Sequence, residues 1–203
     1  MRRLVLASVC ILMGIGAVTV VQDAYAQVFV EPELGARFLT KDAGDWLSTG
    51  VCLGGTVGYN VVPALAVIGH VDFGFHGPAE DIEDFVDGGG SLALLAGLRV
   101  IPLAATADLP FQPYIEGSFG RAGIAWSYTD AGEFVTGDDS DGIGAWTAVI
   151  GGGGDIRVSD MISLGAGVRY YIMMWDDETV EGHDYPDFEG SSVQVVGHLG
   201  IHF

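Results

Sequence analysis

Cysteine, positive charge and long apolar runs are scarce in this chain, and each scarcity excludes a class of protein. There are two cysteines, Cys10 and Cys52. Cys10 falls in an N-terminal segment expected to be removed, so Cys52 is left alone and no intrachain disulfide can staple the mature fold. Eight Lys and Arg stand against 27 Asp and Glu, a formal net charge of -19. Phosphate contacts need cations, so no nucleic acid is expected as a partner. Beyond the N-terminus, Gly, Pro or charge cuts every apolar run within about a dozen residues, short of the ~20 that a membrane helix needs.

Glycine and apolar character are abundant: 32 Gly, 49% hydrophobic residues and a mean hydropathy of +0.39. With so much acid in the same chain, hydrophobicity and charge must be separated in space. Any membrane insertion must use strands.

The N-terminus carries an export signal. Met1-Arg2-Arg3 places positive charge before an apolar run from Leu4 to Val21, and Ala24-Tyr25-Ala26 supplies small residues for cleavage. A spanning helix fits less well, because Cys10, Gly14 and Gly16 interrupt the run and no basic cluster follows it. Lipidation at Cys10 is disfavoured by bulky Val9 and by the apolar sequence still to come. Residues 1–26 are read as the signal peptide and 27–203 as one domain beginning at Gln27, which leaves 203 − 26 = 177 residues. That is about twenty per strand with its connection, if there are eight strands.

A period of two runs through the mature chain. Near its end Val193, Val195, Gly197, Leu199, Ile201 and Phe203 share one parity, and Ser192, Gln194, His198, Gly200 and His202 the other. Comparable segments lie near 28–39, 50–60, 64–75, 90–101, 112–126, 144–158 and 161–174. In each, one parity is apolar and the other is mostly polar or small. The segment near 112–126 fits worst, since Arg121 falls on the apolar parity; either it snorkels to a rim or a bulge shifts the register. Connections alternate between short, at Asn60–Pro63 and Ser159-Asp160, and long, with Pro102–Pro110 intermediate. Alternation alone would also suit a soluble barrel or sandwich.

The terminal Val195-Val196-Gly197-His198-Leu199-Gly200-Ile201-His202-Phe203, with Phe111–Gly117, Gly152–Val158 and Ile162–Gly165, resembles the bacterial outer-membrane β-barrel family of OmpA-like, OmpX-like and opacity-type small barrels. The resemblance covers essentially all of residues 27–203. It implies an all-β fold, an eight-stranded antiparallel up-and-down transmembrane β-barrel, with short turns towards the periplasm and long loops outside. It also implies outer-membrane lipids and the barrel-assembly machinery as partners, the latter reading Leu199, Ile201 and Phe203.

Charge then sorts by place. Of the 27 acids, 19 fall in the four long loops, an external coat to which divalent cations could bind. Asp138-Asp139-Ser140-Asp141-Gly142 is faintly similar to a calcium loop, but Gly137 stands where the first acid belongs, so a solvated loop is the reading. The inward parity carries Glu31, Glu33, Asp72, Glu116 and Asp155 against Arg37, Arg99, Arg157 and Arg169, with His70, His198 and His202. Five acids facing four arginines imply salt-bridge networks rather than a pore of one sign. Glu116 is expected to pair with Arg99 and Arg157. His198 and His202 are expected beside Glu31 and Glu33 in a second, pH-sensitive cluster.

No catalytic site, cofactor or dedicated metal site is expected. Lipid A deacylases and palmitoyl transferases are similar small barrels, but the deacylase His-x-Ser pairing is absent: two residues on, His70 is followed by Asp72, His76 by Pro78, His183 by Tyr185 and His198 by Gly200. The expected function is a non-enzymatic barrel with a structural or surface-interaction role and a charge-plugged interior. The alternative is a narrow gated pore.

The export signal and terminal Phe203 have a direct consequence. The processed protein should fractionate with outer membranes, and unheated and boiled samples should migrate differently on a denaturing gel. Soluble periplasmic protein of identical mobility in both samples would contradict both readings.

Overall fold

The structure, a computed structural model, describes residues 28–103, 110–130, 133, 140–175, 179–180, 183–184 and 190–203. Eight long strands carry it: β1 (Val28–Lys41), β2 (Leu47–Val62), β3 (Leu65–Pro78), β4 (Val86–Val100), β5 (Phe111–Tyr128), β6 (Ser140–Arg157), β7 (Ile162–Trp175) and β8 (Gly190–His202). Each pairs antiparallel with its sequence neighbours, and β1 pairs with β8, so the sheet is the closed up-and-down barrel that the alternation predicts. Closure gives every strand a partner on both sides, which hydrocarbon demands because it offers no hydrogen bonds of its own. Both termini of the barrel meet at one end, where the Phe203 amide donates to the Val28 carbonyl at 2.9 Å.

The short turns are at that end. Pro63 and Ala64 join β2 to β3, and between β6 and β7 the Val158 and Ser159 amides both donate to the Ile162 carbonyl, at 2.9 and 3.0 Å. At the other end lie a short helix, Asp42–Trp46, a 3-10 turn, Glu80–Ile82, and a small hairpin of Thr179–Val180 with His183–Asp184. Residues 1–27, with the expected export signal, and residues 134–139, with Asp138 and Asp139 of the calcium-like stretch, lie outside the described residues.

Most strands run past their expected limits at the long-loop end: β2 begins at Leu47 rather than near 50, β3 ends at Pro78 rather than near 75, and β6 begins at Ser140 rather than near 144. Hairpins can keep their amide ladders beyond a membrane, but a strand wet on its outer face need not be apolar there. The period of two therefore fades before the strand does. Near this end a bulge falls between Val86 and Gly88, and Gly88 holds a φ of +148° that a residue with a Cβ would adopt only under strain.

Parity is kept across the barrel. Leu94, Ile150 and Leu164 point outward and are 56%, 64% and 54% exposed, within a collar of apolar side chains drawn from every strand. A soluble monomer does not leave so continuous an apolar surface in water. Arg121 keeps outward parity as well. No register break interrupts β5 around it, so no bulge turns it inward, and its guanidinium carbon lies 5.1 Å from the centroid of the outward Trp146 ring.

The interior is filled with side chains in layers. Phe29, Ala66 and Ile68 pack at the short-turn end. Charged and polar groups fill the middle. Towards the long-loop end come Ala93, Leu95, Ala145, Val149, Tyr171 and Met173, then a cap of Ala43, Leu47, Val86, Ile124, Trp126 and Ile143. The helix Asp42–Trp46 contributes Ala43 to that cap, so the upper interior is apolar where a mostly polar inward parity was expected.

Outward parity is testable by charge. Arg in place of Leu94, Ile150 or Leu164 should cost about 2 to 4 kcal/mol if the site lies near mid-bilayer. Urea unfolding in lipid vesicles measures it, and unchanged stability for all three would contradict the outward assignment.

Candidate functional site

The interior of an eight-stranded barrel is only wide enough for side chains, so a charge placed there must find its partner within the lumen. Glu116, on β5, finds two. Arg99 donates from Nε to Glu116 Oε2 at 3.0 Å, and Arg169 donates from Nε to Oε1 at 2.5 Å. Arg99 is its direct neighbour in register across the β4–β5 pair. Arg169 is two strands away on β7, and the residue between them in that row is Gly151. A Cβ on Gly151 would stand 2.9 Å from Arg169 Cγ and 3.3 Å from Glu116 Cγ, so the absence of a side chain lets the two meet above its backbone.

The pairing continues in both directions. Arg99 Nη1 donates to Glu31 Oε1 at 2.7 Å. Arg169 grips both oxygens of Glu33, with Nη2 to Oε1 at 2.9 Å and Nη1 to Oε2 closer still. Such a fork is the strong geometry for a guanidinium and a carboxylate. Glu33 Oε1 also accepts from Thr56 at 2.7 Å, and the Thr56 hydroxyl lies 3.1 Å from His70 Nδ1. His70 Nε2 lies 3.6 Å from Asp72 Oδ2, and Asp72 Oδ1 lies 3.0 Å from Arg37 Nη2. Arg37 Nη1 then donates to Ser91 Oγ at 3.0 Å, and Ser91 contacts His76 Nε2 at 3.2 Å.

The result is one connected column along the lumen, in which carboxylates and arginines alternate from Glu31 through Arg99, Glu116 and Arg169 to Glu33, and His70 links that run to Asp72 and Arg37. Glu31 and Arg37 are 1% exposed and Asp72 not at all. Aromatic rings flank it, with the Arg99 guanidinium 4.1 Å from the Tyr114 centroid and that of Arg37 4.4 Å from Tyr171. Tyr171 donates to Gln194 Oε1 at 2.7 Å, and Gln194 donates on to Asp72.

Four of the expected lumen residues stand apart from the column. Asp155 pairs with His198 Nε2 at 2.6 Å, meeting it over Gly165 as Glu116 meets Arg169 over Gly151. His202 contacts Ser163 Oγ at 2.9 Å. Arg157, expected on Glu116, is not there. It lies half-buried at the short-turn mouth, lining a cavity of about 40 Å³ with Glu31, Asp155 and His202. Arg157 sits at the very end of β6, six residues below Gly151 in the Glu116 row, whereas Arg169 stands in that row itself. Of the expected second cluster, His198 reaches Glu31 and Asp155, whereas Glu33 is taken by Arg169 and His202 by Ser163. Tyr114, Tyr171 and Gln194 belong to the site too, marked in the sequence only by their inward parity.

No protein-family model and no curated protein matches the sequence. Solved structures do. Neisserial surface protein A is 12% identical over 89% of this chain and 100% of its own, with a TM-score of 0.64. Ail, the attachment invasion locus protein of Yersinia pestis, is 12% identical over 87% of this chain and 97% of its own, with a TM-score of 0.54. A major outer membrane protein from Thermus thermophilus is 14% identical over 87% and 99%, with a TM-score of 0.51. The fold is that of the small bacterial outer-membrane β-barrels. Within this outer-membrane barrel fold, the column of ion pairs takes the place that an apolar core holds in a soluble domain. Leu199, Ile201 and Phe203 lie on its outer surface at the closing strand, with Phe203 65% exposed.

Because truncating one partner strands the other charge in the interior, Glu116→Ala should destabilise by about 3 to 5 kcal/mol. Double-mutant cycles by urea unfolding should give coupling of about 0.5 to 3 kcal/mol between Glu116 and both Arg99 and Arg169, and none with Arg157. Equal coupling to all three would contradict the assigned pairing.

Proposed function

We propose that this protein is an exported, non-enzymatic outer-membrane barrel that serves as a closed scaffold, holding acidic loops at the cell surface. In this reading the short-turn end faces the periplasm, and terminal Leu199, Ile201 and Phe203 form the signal for barrel assembly. The observation that carries the closed state is the connected column of ion pairs and hydrogen bonds from Glu31 to Arg37, continued upward by the apolar cap around Trp126 and Leu47. Water would have to break charge-assisted bonds and then wet an apolar layer to pass.

The loop described most fully supports the surface role. Glu80, Asp81, Glu83, Asp84 and Asp87 are all exposed at the long-loop end. Such a patch suits divalent cations or a cationic partner and repels nucleic acid. Two structural neighbours are by name a surface protein and an attachment invasion locus protein, which agrees with an interaction role. Against an enzyme, serine meets histidine twice in the lumen, at Ser91–His76 and Ser163–His202, yet among the described residues no carboxylate hydrogen-bonds either histidine to complete a triad. The other nitrogen of His76 contacts the Ser48 carbonyl at 3.1 Å.

Planar-bilayer recording of the refolded protein tests this reading. No steady conductance is expected for the native barrel, whereas Glu116→Ala, which opens the column at its shared carboxylate, should raise the frequency of openings. Stable conductance in the native protein would replace the scaffold with the narrow gated pore.

A further inference from the structure

Glu31 on β1, Asp155 on β6 and His198 on β8 converge inside the short-turn mouth. One oxygen of each carboxylate and one ring nitrogen all lie within 4.8 Å of one another. Arg99 occupies only Oε1 of Glu31, and Glu31 Oε2 is buried with no hydrogen-bond partner. His198 Nδ1 is likewise buried and unpartnered. A carboxylate can only accept, so the 2.6 Å bond to Asp155 Oδ1 puts a proton on His198 Nε2, and in the neutral imidazole Nδ1 is the nitrogen left to take a metal. Two buried polar atoms are thus left without a hydrogen-bond partner, on side chains that are themselves more than nine-tenths buried. The adjoining cavity of about 40 Å³, lined by Glu31, Asp155, Arg99 and Arg157, has room for a water molecule as a further ligand.

We propose that Glu31, Asp155 and His198 form a binding site for a divalent transition-metal cation of the Zn²⁺ class. One imidazole nitrogen and two carboxylate oxygens are a donor set that suits Zn²⁺, at metal–ligand distances of about 2.0 to 2.2 Å. Ca²⁺ and Mg²⁺ prefer oxygen alone, so the nitrogen discriminates this site from the acidic loops. The neighbouring cations do not fill it: Arg99 neutralises Glu116 as well as Glu31, and Arg157 lines the adjoining cavity. Bound there, the cation links the first, sixth and last strands, bracing the β1–β8 seam at which the barrel closes. The inference is independent of whether the lumen conducts.

Gly165 provides a test that removes no ligand. A Cβ at this position would overlap both His198 Nε2 and Asp155 Oδ1, so Gly165→Ala must push both movable side-chain ends apart. Zn²⁺ binding to the refolded full barrel in detergent is measured by calorimetry with excess Ca²⁺ present to occupy the loops, and Co²⁺ absorption reports the coordination. One Zn²⁺ per barrel is expected, with affinity about 10- to 100-fold weaker in Gly165→Ala. His198→Ala should lose the Co²⁺ spectrum, whereas His202→Ala should keep it. Added Zn²⁺ should raise the urea midpoint of the native barrel but not that of Gly165→Ala. The heat-dependent gel shift identifies folded variants, and Gly165→Ala decides the matter if His198→Ala does not fold. No Zn²⁺ binding by the native barrel, or the same affinity in folded Gly165→Ala, would overturn the proposal and assign any bound metal to the loops.

Discussion

Glu116 shares its two oxygens between Arg99 and Arg169, and the rest of the interior is arranged around that shared carboxylate. Each arginine also donates to a glutamate of β1, so the column is anchored to the first strand at both Glu31 and Glu33. Four strands are tied together through one acid. An eight-stranded lumen makes this possible because side chains from opposite walls overlap at its axis. The same narrowness makes it necessary, because a carboxylate there has no bulk water to fall back on.

Glycine decides which residues meet. Inward side chains on adjacent strands touch directly, but a bond across two strands requires the intervening position to be vacant. Gly151 vacates it for Glu116 and Arg169, and Gly165 for Asp155 and His198. Tyr114 uses the same device, lying over Gly153 with its hydroxyl 2.6 Å from where a Cβ would be. Part of the barrel's high glycine content is therefore lumen space, positioned row by row to route ion pairs rather than to allow turns.

The architecture was legible because strand periodicity and lipid exposure impose the same pattern on every strand. Leu94, Leu164, Ile150 and even the misfitting Arg121 sit on the outward parity that counting by two assigns them. Which inward residues face the lumen was equally legible; how they pair was legible across adjacent strands, where Arg99 meets Glu116 as expected, but not across two. Parity gives a residue's face but not its row, and Arg157 and Arg169 share a face while only Arg169 lies in the Glu116 row. Rows depend on the stagger between strands, which no local pattern encodes. Gly151 was the available clue, since a vacant inward position between an acid and an arginine marks where a two-strand bond can form. The apolar cap was hidden for a different reason. Where Leu47, Ile124 and Trp126 turn inward, the outward face has already left the apolar belt, so the contrast between parities that reveals a strand is weak or reversed.

Buried ion pairs seldom stabilise more than well-packed apolar groups of the same shape would, so the retention of a charged column needs another reason. Register supplies it. A strand displaced by one residue exchanges its faces. For β1 such a slip would carry Glu31, Glu33 and Arg37 into lipid together. Basic residues cost about 2 to 4 kcal/mol each at the bilayer midplane, acids less, and each transferred charge also strands a partner left in the lumen. An interior of leucine and valine would impose a far smaller penalty, because a slipped apolar side chain is as comfortable in lipid as in the core. The column thus distinguishes the native register from its neighbours most sharply at the strand that must find β8 and close the barrel, where a sheet built mainly of apolar and glycine residues has few other means of telling one alignment from the next.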